Sequence, residues 1–285
     1  MNLNALRTYF ENELLGYYSN EEMLSFFYLL TERFLKLSRV DFALNVEMKV
    51  EGSGYDAIQD AIKRLQLYEP IQYILGDTEF YGLTFKVNSD VLIPRPETEE
   101  LVDCIIKEAP KDKPLTILDI GTGSGCIAVA LAKNLNNATV IAIDISKKAL
   151  KIAAKNAKLN NVEVEFLEAD ILDHSTILQN TFCDIIVSNP PYVRTSEKEV
   201  MKPNVLNHEP HLALFVDDKD ALLYYKKIVA FTIDHLKTRG FLYFEINENL
   251  GRSMERLLKK EGFDQINLQQ DLSGKDRIIR GIKIK

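Results

Sequence analysis

Five short, nearly unbroken apolar runs mark the second half of the chain: Leu115 to Ile120, Thr139 to Ile143, Val162 to Leu167, Asp184 to Ser188 and Gly240 to Ile246. They alternate with stretches of helical spacing. A strand that is apolar on both faces has to be covered on both faces, and parallel neighbours need crossovers long enough to hold a helix. The pattern therefore predicts an open α/β domain, a doubly wound and mostly parallel sheet between helical layers. The final runs, Phe263 to Leu268 and Arg277 to Lys285, leave no room for a long helix between them. They are expected to add an antiparallel terminal pair.

Upstream the period changes. Leu3, Leu6, Phe10 and Leu14 recur at helical spacing, as do Met23, Phe26, Phe27, Leu30 and Phe34, with breaks at Gly16, Ser38 and Gly52 to Gly54. Residues 1–70 read as a small N-terminal helical bundle. Between Pro70 and Pro96 the texture shifts to Gly76, Gly82 and the β-rich run Thr84-Phe85-Lys86-Val87, so residues 71–96 read as a linking β-hairpin. Residues 97–285 remain for the α/β domain.

Composition narrows the function classes. With 42 acidic and 35 basic residues the net charge is -7, which argues against a general nucleic-acid coat, since phosphate binding is mostly Lys and Arg chemistry. The longest uncharged stretch, Ile120 to Ala132, contains three glycines and falls short of the roughly 18 apolar residues of a membrane span. The first residues show no basic segment followed by an apolar run, so a cytoplasmic location is expected. Cys104, Cys126 and Cys183 are too scattered for a disulfide framework or a zinc site and read as reduced core residues. His208-Glu209-Pro210-His211 has the wrong spacing for a zinc helix, and its proline breaks the register, so it reads as a surface loop. No metal site is expected. Lys147, Lys148, Lys151 and Lys155 read as a solvated helix face.

Two constellations carry chemistry. In Asp119-Ile120-Gly121-Thr122-Gly123-Ser124-Gly125-Cys126, three alternate glycines stand between a strand and a helix starting near Cys126. There a ligand can approach bare backbone. The spacing differs from the dinucleotide fingerprint, and Asp119 would repel a pyrophosphate, which favours a cationic ligand. Asp144, at the end of the next strand, is placed to accept hydrogen bonds from both hydroxyls of a ribose. Together they point to an adenosine-type cofactor bearing an amino or sulfonium group.

The second is Asn189-Pro190-Pro191-Tyr192, directly after the strand Asp184 to Ser188. Ligands of open α/β sheets bind beyond the carboxyl ends of the strands, so Asn189 is aimed at the same crevice. Two prolines stiffen the loop. A planar nitrogen conjugated to a carbonyl or ring is a poor nucleophile. Asn189 Oδ1 and the Pro190 carbonyl are able to accept its two N–H bonds while Tyr192 packs on its flat face. Asn189, Pro190 and Tyr192 are thus candidate catalytic residues, with Pro191 joining them in substrate binding.

The stretch Gly121 to Gly125 with Asp144 resembles the first motifs of the class I S-adenosylmethionine-dependent methyltransferases. That resemblance implies S-adenosyl-L-methionine as cofactor, with Gly121, Thr122, Gly123, Ser124 and Gly125 facing its methionine part and Asp144 its ribose. Asp170 and Ile171 would border the adenine, and Asn189 would lie beside the bound cofactor. The tetrapeptide is similar to that of amino-methyltransferases acting on adenine N6 or on a glutamine amide. Its flanks favour the second. Pro70 to Gly76, Phe80-Tyr81-Gly82, Leu92-Ile93-Pro94-Arg95-Pro96-Glu97-Thr98-Glu99-Glu100-Leu101, Glu209 to Leu214 and Asp271 to Arg277 resemble the peptide chain release factor glutamine methyltransferases. The implied partners are release factors, methylated at glutamine N5, with no membrane and no direct nucleic-acid substrate. Residues 1–70 would dock the substrate protein, and 97–285 would be the methyltransferase domain. A ribosomal-protein glutamine methyltransferase, an adenine N6 nucleic-acid methyltransferase and a silent cofactor-binding scaffold are the alternatives. Arg95 and Glu97 read either as a surface ion pair or as part of the substrate mouth. Where the family usually has Glu-Ile-Gly, this chain has Glu245-Ile246-Asn247, which reads as a peripheral segment.

Overall fold

The computed structural model of the chain describes residues 1–176, 178 and 181–284. It divides into two compact units, Met1–Gly76 with Lys202–His208, and Asp77–Met201 with Glu209–Lys285.

The first unit is helical. α1 (Leu3–Glu13) starts at Asn2, whose side chain accepts from Ala5 N. α2 (Asn20–Leu30) opens with a reciprocal capping box between Ser19 and Glu22, and α3 (Arg39–Leu44) with one between Ser38 and Asp41. These caps satisfy amides that a helix start leaves without partners. They also explain why Ser38 breaks the pattern. Gly52, at φ +74, precedes α4 (Ser53–Gln66), and α5 (Ile71–Leu75) ends at Gly76. Leu3, Leu6, Phe10, Leu14, Met23, Phe27 and Leu30 form the core with residues of α4, while Phe26 and Phe34 are only partly buried.

The second unit opens with a hairpin, β1 (Asp77–Phe80) against β2 (Leu83–Lys86), shorter than the expected 71–96 because Ile71–Leu75 is helical and belongs to the first unit. α6 (Pro96–Glu108), β3 (Leu115–Ile120), α7 (Cys126–Asn134), β4 (Ala138–Asp144), α8 (Lys147–Leu159), β5 (Glu165–Glu168) and β6 (Cys183–Ser188) follow. Then come β7 (Val193–Arg194), α9 (Pro203–His208), α10 (His211–Leu214) and β8 (Phe215–Val216). Of these, α9 belongs to the first unit. α11 (Leu223–His235), β9 (Leu236–Glu245), α12 (Gly251–Lys260), β10 (Phe263–Gln270) and β11 (Asp276–Lys283) complete the chain.

The main sheet runs β10-β11-β9-β6-β3-β4-β5. β9, β6, β3, β4 and β5 are parallel, β11 runs antiparallel to β9, and β10 runs antiparallel to β11, the antiparallel pair that the two closing runs predict. One face packs on α6, α7 and α8 through Leu101, Ile105, Val129 and Ala157. The other packs on α11 and α12 through Tyr225, Ile228, Met254 and Leu258. β5 is shorter than its apolar run, because Val162 and Val164 pack against the first face without joining the ladder. The short parallel ribbon β7/β8 has no counterpart in the sequence pattern: two residues per strand are too few to show a period. The three cysteines are free and buried. Among the described residues, no helix is long and apolar enough to cross a membrane.

Strand order reverses at β3, which has β4 on one side and β6 on the other. At such a switch point the loops leaving adjacent strands part to opposite faces and open a crevice at the carboxyl edge. Both motif loops leave the sheet there.

Candidate active site

The glycine loop is held by the neighbouring strand. Gly121 N and Thr122 N both donate to Ile143 O, at 2.9 and 3.0 Å. Gly121 and Gly123 have φ of +74 and +55, with open space where a Cβ would project, so the backbone itself forms the wall. The third glycine does something else. At Gly125 a Cβ would stand 2.9 Å from the Ala153 Cβ, so this glycine lets α7 and α8 approach.

Asp144 ties two turns together. Its Oδ2 accepts from Gly123 N and its Oδ1 from Ser146 N, both at 2.8 Å, and each oxygen keeps a lone pair for a ligand. Burial pushes its pKa up, against the pull of the Ser146 and Gly123 amides. The N-cap of α8 is Ser146 rather than Asp144.

Beneath the loop, Asp119 is fully buried. Its Oδ2 accepts from Thr122 Oγ1 at 2.6 Å, while Oδ1 has no hydrogen-bond partner among the described residues. Burial drives its pKa up to about 7, with the Thr122 hydroxyl opposing and the Asp144 charge adding to the rise. Asp144 beside the loop, with Asp119 buried beneath it, suits a cationic ligand better than an anionic one.

Asn189 leaves the end of β6 half-buried, and Pro190 is buried behind it. Asn189 Nδ2 donates to Thr98 Oγ1 at 3.3 Å. Thr98 Oγ1 donates to Glu245 Oε2 at 2.6 Å, and the Tyr192 hydroxyl donates to Glu245 Oε1 at 2.9 Å. Glu245 is buried at the end of β9. Burial raises its pKa, and the Thr98 and Tyr192 hydroxyls, followed by the Arg277 charge, pull it back.

One cavity of about 230 Å³ joins the two constellations. Gly121, Thr122, Gly123, Ser124 and Asp144 line one part, and Asp170 and Ile171 continue it. Asn189, Pro190 and Pro191 face the same space. Gly125 and Tyr192 stand outside the lining. The ring of Tyr192 packs on the α11 face of the sheet, with its hydroxyl committed to Glu245. Asp170 also caps the following turn, its Oδ1 accepting from Leu172 N at 2.9 Å.

Three readings of the sequence change. Glu209 is not part of a surface loop: its side chain is fully buried, accepting from Arg95 Nη2 and from Ile93 N. Arg95 accordingly pairs with Glu209 rather than Glu97, and it lines the cavity. Glu245 is not peripheral, since it supports both Thr98 and Tyr192. The reason is shared: a buried carboxylate has to find donors, but those donors lie on distant segments and leave no local pattern. The departure at Asn247 has a simple outcome, an Asx turn in which Asn247 Oδ1 accepts from Asn249 N at 3.0 Å.

The doubly wound sheet and its cavity at the switch point define a methyltransferase fold. The family model described as the methyltransferase small domain matches residues 98–212. A methyltransferase from Pyrococcus furiosus superposes with a TM-score of 0.52 at 17% identity, over 80% of this chain and 100% of that one. The chain belongs to the release factor glutamine methyltransferase family. It is 50% identical to the release factor glutamine methyltransferase of Flavobacterium psychrophilum, over 98% of this chain and 99% of that protein. To the one from Bacteroides thetaiotaomicron it is 43% identical, over 97% and 99%. The PrmC N-terminal domain model matches residues 5–76.

Proposed function

We propose that the protein transfers the methyl group of S-adenosylmethionine to the side-chain amide nitrogen, N5, of a glutamine in peptide chain release factors, modulating translation termination. Its relatives' names support the substrate, and the joining of the glycine loop, Asp144 and Asn189 around one cavity carries the chemistry. The cytoplasm, where release factors act, is its proposed location.

The residues fit the cofactor. Gly121, Thr122, Gly123 and Ser124 would hold its methionine part, with Gly125 setting the loop's approach to α8. Asp144 would take the ribose hydroxyls on its remaining lone pairs, and Asp170 and Ile171 would border the adenine. Asp144 on the cavity wall favours the positive charge, and a cation there would draw the Asp119 carboxyl beneath the loop toward its charged form. When bound, S-adenosylmethionine supplies an electrophilic methyl group on a sulfonium.

The chain's own task is to orient a weak nucleophile. An amide nitrogen delocalises its lone pair into the carbonyl, so rate comes from holding the nitrogen in line and stabilising the charge that develops on it. Asn189 Oδ1 and the Pro190 carbonyl accept its two N–H bonds. Pro191 lines the same cavity, and Tyr192, expected from the sequence to pack on the amide face, instead anchors the loop, because its ring is taken up by the core under the sheet and its hydroxyl by Glu245. Residues 1–70 are proposed to dock the substrate protein, whose binding energy then positions the glutamine loop.

The test is to incubate the protein with labelled S-adenosylmethionine and, separately, release factors, ribosomal proteins and DNA, and to map the label. Label on a release-factor glutamine amide is the expected result; label confined to ribosomal protein or to adenine would replace it. Asn189→Ala should lower turnover by about 100-fold while leaving the fold intact.

A further inference from the structure

The Asn189 side chain is useful only one way round. Its amide has an acceptor oxygen and a donor nitrogen of almost the same shape, and a half-turn about the last torsion exchanges them. Turned the wrong way, it would point two N–H groups at a substrate nitrogen that is itself a donor.

Thr98 and Glu245 remove that freedom. Glu245 accepts on both carboxylate oxygens, from Tyr192 at 2.9 Å and from Thr98 at 2.6 Å. The Thr98 hydroxyl has a single proton, and Glu245 takes it. Thr98 Oγ1 is thereby left as an acceptor, and the group 3.3 Å away on Asn189 has to be the donor, Nδ2. Oδ1 then projects from the opposite side of the amide. Thr98 and Glu245 are 2% and 1% exposed, so water does not compete for these bonds. Tyr225 also donates to the Glu245 main-chain oxygen at 3.0 Å and fixes the end of the strand.

We propose that Thr98 and Glu245 are positioning residues that set the polarity of the Asn189 amide: an acceptor-only carboxylate orients a hydroxyl, and the hydroxyl orients the amide. This rests on the glutamine-methylation reading. The hydroxyl is the essential element of Thr98, and its methyl group is not.

The experiment compares Thr98→Val, Thr98→Ser and the wild type in the full-length protein. On a release factor, Thr98→Val should lower kcat by about 10- to 100-fold, with the substrate KM and the affinity for S-adenosylmethionine changed less than about twofold. Thr98→Ser should recover most of the loss. An unchanged kcat in Thr98→Val, or a serine variant as slow as the valine one, overturns the proposal. A second measurement needs no turnover. In 15N-labelled protein, one Asn189 Nδ2 proton should be protected from solvent exchange in the wild type and the serine variant, and unprotected in the valine variant. Equal protection in all three overturns the polarity relay even if the wild type is active. If the wild type methylates no release factor, the functional reading fails, and the exchange measurement still decides the relay. Should Thr98→Val unfold, Glu245→Gln, which adds a donor to the relay, should show the same loss of protection; full protection there also overturns it.

Discussion

Arg95 and Glu209 are 114 residues apart in sequence and 2.5 Å apart in space, Arg95 Nη2 donating to Glu209 Oε1. The same carboxylate accepts from Ile93 N at 3.2 Å. One fully buried acid therefore joins the segment before α6 to the segment before α10, and both segments line the cavity. Glu209→Ala would leave the Ile93 amide without its acceptor and Arg95 without its partner. It should cost about 1.5–3 kcal/mol in urea or thermal unfolding, and methylation should fall more than cofactor affinity. A variant as stable as the wild type would show that the pair is dispensable.

Asp144 makes a different demand, because its carboxylate serves the loop and the proposed ribose at once. Asp144→Ala should weaken S-adenosylmethionine binding by about 100-fold or more, from the loss of hydrogen bonds to a charged group worth about 1.5–3 kcal/mol each. Asp144→Asn retains the shape but has only one oxygen to accept from two backbone amides, and it should fall between. Isothermal calorimetry measures both. Wild-type affinity in the alanine variant would remove Asp144 from the site.

Asp119 makes stability depend on pH. Its folded pKa, raised by burial to about 7, lies above the ordinary 3.8 of the unfolded chain. Between those values the folded state keeps a proton that the unfolded state has released, so stability falls as pH rises through the window and levels off above about 7. Asp119→Asn removes this titration. Unfolding of the two proteins at pH 5 and pH 8 should show the wild type losing stability relative to the variant at the higher pH. Parallel pH profiles would contradict the shifted carboxyl.

The proposed docking role of the first unit has a surface test. Leu15 and Leu67 are each 70% exposed, beside the paired rings of Tyr17 and Tyr68. Replacing both leucines by glutamate leaves the buried core of that unit untouched. Methylation of an intact release factor should drop about tenfold, and methylation of a short glutamine peptide should not change. Equal loss on both substrates, or none on the intact protein, would argue against docking at this patch.

Much of this architecture is written in local pattern. The apolar runs specify strands buried on both faces, and the lack of helix length between Phe263 and Lys285 specifies the antiparallel end. Parallel strands all deliver their following loops to one edge, so the glycine loop, Asp144 and Asn189 converge once the sheet forms. The sequence therefore determines the fold class and the cavity's main walls by itself, because periodicity and turn chemistry act over a few residues. It does not determine the pairings. Thr98 with Glu245, Asn189 with Thr98, and Arg95 with Glu209 span 147, 91 and 114 residues. A buried polar group needs a partner, but strand order and helix packing decide which group stands within hydrogen-bond reach. Only the tertiary structure could move Glu245 from an apparent margin to the support of Asn189, and Glu209 from an apparent surface loop to a buried clasp.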